Sequence, residues 1–107
     1  MPGEIVTGSV VLTHDIGLHA RPSVKLTKLA KSFTCRIELS IGGDEPWLDA
    51  KSIVKVMASK ARKHSVLHFR AEGDDAKAAV DALISLVERD FEELAAVPGD
   101  ATRVGTR

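Results

Sequence analysis

Hydrophobic and polar residues follow two rhythms along this chain. Residues 5–12 are rich in β-branched side chains and read as a first strand. Residues 20–32 place Leu26, Leu29, Ala30 and Phe33 at i, i+3, i+4 and i+7, the stripe of an amphipathic helix. From Cys35 the pattern switches to strict alternation: Cys35, Ile37, Leu39 and Ile41 point one way, and Arg36, Glu38 and Ser40 the other. A strand with one buried face has this form. After the turn Gly42-Gly43-Asp44, residues 45–49 predict a short returning strand, and Pro46 confines it to a sheet edge. Residues 52–60 predict a short helix with Ser52 as its N-cap. Residues 65–71 alternate again, with Leu67, Phe69 and Ala71 on one side. Beyond Gly73, Asp74 or Asp75 caps a last helix, whose apolar stripe is Ala76, Ala79, Val80, Leu83, Ile84, Val87 and Phe91. That helix is expected to end near Glu93 or Leu94. From Pro98 onward there is no periodicity.

The order is β-α-β-β-α-β-α, with one apolar stripe per helix and one apolar face per long strand. The economical packing is an α+β fold, an open-faced β-sandwich: one four-stranded antiparallel sheet with three helices on a single face. The other face stays wet, which accounts for Arg36, Glu38 and Ser40. Residues 1–94 are expected to form one domain, and residues 95–107 a flexible C-terminal tail.

Composition adds class but no chemistry. Hydrophobic residues make up 44% of the 107, enough for a core without disulfides. The fifteen basic and fifteen acidic residues cancel, unlike the bias of a dedicated nucleic-acid binder. The single cysteine, Cys35, has no intrachain partner and suits a reducing compartment. No signal peptide is visible, and no apolar run nears the ~20 residues of a membrane span. A cytoplasmic protein without membrane insertion is expected.

The segment that carries chemistry is Gly17-Leu18-His19-Ala20-Arg21-Pro22. His19 stands just before a helix whose first turn contains Pro22, where the missing N–H costs nothing because first-turn N–H groups lack intrahelical acceptors. The free N–H groups and the helix dipole make an anion site, and Arg21 adds a guanidinium suited to phosphate. Such surroundings disfavour imidazolium, leaving a neutral, nucleophilic ring. A phosphoryl group placed on His19 then meets charges that receive it. Phosphoryl transfer depends mainly on positioning and charge stabilisation, so little acid–base machinery is needed.

Residues 17–22 resemble the active-site signature of the HPr phosphocarrier family of the bacterial phosphoenolpyruvate-dependent phosphotransferase system. Residues 49–57, Asp-Ala-Lys-Ser-Ile-Val-Lys-Val-Met, resemble the family's second signature, a serine-led short helix, and residues 71–76 its entry into the last helix. The resemblance spans roughly residues 4–92. It implies strand order 1-4-2-3 and a phosphohistidine at His19 with Arg21 as the active-site arginine. It further implies Ser52 as a regulatory phosphorylation site near the histidine, and Ile53, Val54 and Met57 as a partner-binding patch. One of those three is expected to face the core, with Val54 and Met57 docking. The implied partners are enzyme I, enzyme IIA-type domains and a serine-directed HPr kinase. The chain is expected to act as a monomeric carrier rather than a turnover enzyme, with no cofactor and no metal. Where the family usually has glycines, this chain has Lys55 and Lys60.

Two functions follow. One is a phosphocarrier in sugar transport. The other is a regulatory carrier of a nitrogen-related branch, acting by phosphorylation-dependent protein binding. An RNA-binding role for the basic residues 60–64 lacks stacking aromatics, with four in the whole chain. Lys28, Lys51, Lys55, Lys60, Arg62 and Lys63 could steer acidic partners or simply form a solvated face. His14, His64 and His68 share no metal-ligand spacing and read as structural or surface residues. Cys35 is expected to be a buried free thiol and Trp47 an edge-strand packing residue.

Overall fold

The computed structural model describes residues 5–13, 17–18 and 20–91. Its elements are β1 (Ile5–Val11), α1 (Ala20–Lys31), β2 (Arg36–Ile41), β3 (Leu48–Asp49), α2 (Ile53–Ala58), β4 (Val66–Glu72) and α3 (Ala76–Glu88). The sheet runs β1-β4-β2-β3 and every pair is antiparallel. The fold is the open-faced α+β sandwich that the patterning implies.

Alternation sets the two faces. Ile37, Leu39, Leu67, Phe69 and Ala71 are buried under the helices, against Leu26 and Ala30 of α1, Val56 of α2, and Val80, Leu83 and Val87 of α3. On the outer face, Arg70 Nε donates to Glu38 Oε1 at 2.8 Å, and the Arg70 guanidinium lies 4.1 Å from the centre of the Trp47 ring. Trp47 thus packs on a charged side chain of the open face.

Ser40 departs from the wet-face expectation and is fully buried. The 42–44 turn folds back beside it, and its hydroxyl donates to the Asp44 carbonyl at 2.5 Å. A short side chain with a local acceptor tolerates such burial; a charged one would not. The third strand is shorter than the expected 45–49. Pairing covers only Leu48 and Asp49, because Pro46 has no N–H to give a ladder.

The last helix ends at Glu88, not near Glu93 or Leu94. Asp90 turns left-handed (φ 54°), its N–H donating to the Val87 carbonyl and that of Phe91 to Leu86. This is a Schellman closure with aspartate where glycine is usual. Phe91 is buried as its place in the stripe suggests, but it reaches the core from the turn after the helix. Lys25 Nζ and Thr13 Oγ1 anchor that turn by donating to the Phe91 carbonyl and to Asp90 Oδ1. The tail proposed for residues 95–107 lies outside the described residues.

Candidate functional site

The 17–22 segment is fixed by backbone geometry. Gly17 has φ +81°, and a Cβ there would stand 2.4 Å from the Ala61 carbonyl oxygen. Only glycine lets the two backbones come so close. The next N–H, that of Leu18, donates to the same carbonyl at 2.9 Å. Leu18 and Pro22 are buried, so the segment is pinned at both ends of the turn into α1. His19 lies outside the described residues.

Around it, the helix start has the character an anion needs. α1 begins at Ala20 and carries no acidic residue in its first turn. Arg21 is exposed and makes no hydrogen bond or ion pair with any described residue, so its guanidinium is available. Ser23, one residue past Pro22, is fully buried and its hydroxyl has no hydrogen-bond partner among the described residues. Among the described residues no cluster of three or more His, Cys, Asp or Glu could hold a metal.

α2 is as short as its signature implies. Ser52 caps it, accepting from the Lys55 N–H at 3.4 Å. The residue facing the core is Val56, fully buried, and not Ile53, Val54 or Met57. One turn of 3.6 residues cannot bury both Val56 and its neighbours at 54 and 57. Val54 and Met57 therefore stand 74% and 39% exposed, while Ile53 is half-buried.

The helices α1 and α2 pack against each other in opposite directions. The end of α2 leads to Ala61, which clamps Gly17 before α1. At its start Lys51 Nζ donates to the Phe33 carbonyl beyond the end of α1, at 2.8 Å. What borders the histidine segment is therefore the basic stretch that includes Ala61 and Arg62. Ser52 sits at the other end of α2 from Ala61.

Sequence reasoning missed Ala61 as the clamp, since a lone alanine carries no signal. It also missed the use made of Asp75. Asp75 stands at the N-cap of α3 but makes no side-chain cap bond. Its carboxylate instead accepts from the N–H groups of Thr34 and Cys35, both at 3.0 Å, and from the Thr34 hydroxyl. The Thr34 N–H, then Cys35, hold the Asp75 carboxyl below the ordinary carboxylate range. Cys35 is a buried free thiol, pushed up to about 11 by burial and, next, by Asp75.

Comparison with known proteins gives one answer. Residues 6–89 match the family model described as the HPr component phosphorylation site of the phosphotransferase system. The phosphocarrier protein HPr of Cupriavidus necator is 39% identical over 82 residues, covering 77% of this chain and 90% of that one. A multiphosphoryl transfer protein of Haemophilus influenzae is 35% identical over 95 residues, 87% of this chain but 19% of its own length. A crystal structure of HPr from Thermoanaerobacter tengcongensis superimposes with a TM-score of 0.75 at 33% identity, over 83% of this chain and 99% of the other.

Proposed function

Because the chain belongs to the HPr family and is thus a phosphocarrier of the phosphotransferase system rather than a turnover enzyme, we propose that His19 is its phosphoryl acceptor. The donor is enzyme I, charged from phosphoenolpyruvate, and the recipients are enzyme IIA-type proteins of sugar transport. The observation that carries this is the start of α1. An exposed arginine, unpaired among the described residues, stands two residues from the histidine, on a first turn free of acids, in a segment clamped to Ala61.

A ring nitrogen of His19 attacks phosphorus; the N–P bond forms as the bond to the donor breaks, and the electron pair leaves with the donor. The new negative charge meets the first-turn N–H groups and Arg21, which hold the phosphoryl group without bonding it covalently. In the second transfer the steps reverse onto the acceptor. Val54 and Met57, with the flank of Ile53, form the docking surface; exposed apolar side chains beside a reactive site suit a transient interface. Ser52 is the regulatory site: its cap hydroxyl is replaceable by a phosphate that a helix N-terminus tolerates. All this takes place in the cytoplasm.

The test is to incubate the chain with enzyme I and labelled phosphoenolpyruvate, then add candidate IIA domains. Acid-labile label should appear on the wild type, pass to an acceptor, and be absent from His19→Ala. Label retained in a folded His19→Ala would sink the assignment. Arg21→Ala should slow both transfers by roughly three- to tenfold, a charge-assisted hydrogen bond weakened by solvent.

A further inference from the structure

The turn between α2 and β4 brings more to the 17–22 segment than the Ala61 carbonyl. After that oxygen, the next atom a Cβ on Gly17 would meet is the Arg62 Cα, at 3.1 Å. On the reading that His19 takes the phosphoryl group, we propose that Arg62 is a second catalytic arginine. Its guanidinium bonds that group together with Arg21 and so favours the phosphorylated state.

The backbone of Arg62 is fixed. Its N–H donates to Ser65 Oγ at 3.2 Å, and its carbonyl accepts from the Ser65 N–H at 3.0 Å. The same turn is tied to the end of β1: the His64 N–H donates to the Leu12 carbonyl at 2.6 Å, and the Leu12 N–H to the Ser65 carbonyl at 2.8 Å. With the Leu18 N–H on Ala61, the turn is bonded to the chain both before and after the residues that lead into α1.

The side chain has no such employment. Arg62 is exposed, and its guanidinium makes no hydrogen bond or ion pair with any described residue. The sequence accounts for this. No acid occurs in residues 16–37, which hold α1, or in residues 50–71, which hold α2 and the turn. The clamp brings these two acid-free runs together. Asp90 reaches this end of the molecule from the turn after α3, and it accepts from Thr13 Oγ1. Two residues of chain, at most about 7 Å, separate Gly17 from His19. Side chains as long as arginine and histidine can meet across that span.

A phosphoryl group of this kind carries about two negative charges near pH 7. Two guanidinium groups match that charge, each with a fork of N–H donors. The gain exists only after transfer, because a neutral imidazole offers a guanidinium no anion. Arg62 therefore acts on the equilibrium, from an element distant in sequence, and makes the chain a firmer holder of the group.

Phosphoramidate loads a histidine without a protein partner: the N–P bond to His19 forms as the P–N bond of phosphoramidate breaks and ammonia leaves. Loading of the wild type and of Arg62→Ala, but not of His19→Ala, establishes the acceptor. Failure there defeats the reading on which this inference rests, and the inference with it. Equal amounts of wild type and Arg62→Ala are then mixed with limiting phosphoenolpyruvate and catalytic enzyme I, and the two phosphorylated masses are compared at equilibrium. That ratio reports the stability of each phosphohistidine and not docking or rate. The wild type should hold the group by about three- to tenfold. Arg62→Lys, which keeps the charge without the fork, should fall in between. Lys31→Ala, the same loss of charge in the last turn of α1, should share the group evenly with wild type. Circular dichroism checks folding, and Arg62→Gln repeats the comparison if Arg62→Ala folds poorly. An even partition for a folded Arg62 variant, or an equal shift in Lys31→Ala, would overturn the proposal. If enzyme I transfers nothing, loss of phosphate to water from the phosphoramidate-loaded chains takes the place of partition. Arg62→Ala should then lose it faster by a similar factor, and equal rates would overturn the proposal.

Discussion

Replacing Gly17 by alanine tests whether the clamp on Ala61 is what holds the segment proposed to accept the phosphoryl group. The substitution acts in two ways. A side chain at φ +81° incurs left-handed strain of about 1–2 kcal/mol. Its Cβ would also stand 2.4 Å from the Ala61 carbonyl oxygen, a backbone atom that cannot swing aside. The turn must move away, and the Leu18 N–H loses its acceptor, a further cost of about 1–3 kcal/mol for a buried donor. The total is about 2–5 kcal/mol. Gly42 supplies the control: it has φ +80°, and a Cβ there meets nothing within 4 Å. Gly42→Ala should therefore cost the strain alone, about 1–2 kcal/mol.

Urea unfolding of both variants separates the two contributions. At about 1–3 kcal/mol per molar urea, the midpoint of Gly17→Ala should fall below that of Gly42→Ala by about 1 M, with unchanged slope. The moved turn should also misplace the start of α1, so transfer from enzyme I should slow by about ten- to a hundredfold in folded Gly17→Ala. Gly42→Ala should transfer normally. Equal midpoints for the two variants would show that the close approach to Ala61 contributes nothing, and normal transfer in Gly17→Ala would show that the clamp does not position the site.

Other outcomes follow from single contacts. Ser23→Ala removes a buried hydroxyl that lacks a partner among the described residues, and should raise stability by up to about 1 kcal/mol in thermal melts; a loss would mean that the hydroxyl is bonded. Because the Asp75 carboxyl is held low in the folded state, its contribution is full above the ordinary aspartate range and is lost as pH falls through its folded value. The stability gap between wild type and Asp75→Asn should accordingly shrink on acidification, and a constant gap would refute this. Cys35, pushed up to about 11 from 9.0, has the opposite sense: stability is full below pH 9.0 and is lost as pH rises through 11. A thiol reagent at pH 8 should leave it unmodified in the folded chain, and alkaline sensitivity should vanish in Cys35→Ala. Ser52→Asp should weaken binding to enzyme I with an unchanged or slightly raised melting temperature, and unchanged affinity would reduce Ser52 to a helix cap.

The elements were legible because their periodicity is enforced by a core on one side only. Cys35, Ile37 and Leu39 alternate because the helices cover one face of the sheet, and the spacing of Leu26 and Ala30 reflects the same boundary seen from α1. A pattern averaged over seven or twelve residues survives a local exception. The exceptions lie where one residue is governed by a contact distant in sequence. Ser40 has the sequence of an outward residue, but a turn four residues ahead covers it. Phe91 continues the stripe of α3 by spacing, yet the chain leaves the helix two residues after Glu88 and returns the ring to the core by a left-handed turn. Periodicity registers that such a side chain is buried and is blind to the route.

The site divides along the same line. The histidine, the arginine and the proline lie within four residues of one another, so a chemistry can be proposed for them without a structure. Where Ser52 stands relative to them depends on the relative direction of α1 and α2, which no local pattern contains. Direction is set by the connections: β2 and β3 intervene between the two helices, and α2 returns antiparallel to α1, bringing Ala61 rather than Ser52 to Gly17. On the proposed assignment, added charge at Ser52 acts through the Val54 and Met57 surface at its own end of α2. This makes a distinction that phosphorylation kinetics can read. Added charge at residue 52 should raise the enzyme I concentration needed for half-maximal transfer while leaving the rate at saturation nearly unchanged, because the interface is altered and the reacting geometry is not. A fall in the saturated rate with unchanged half-saturation would place the effect at the histidine itself and refute the antiparallel arrangement as the basis of control.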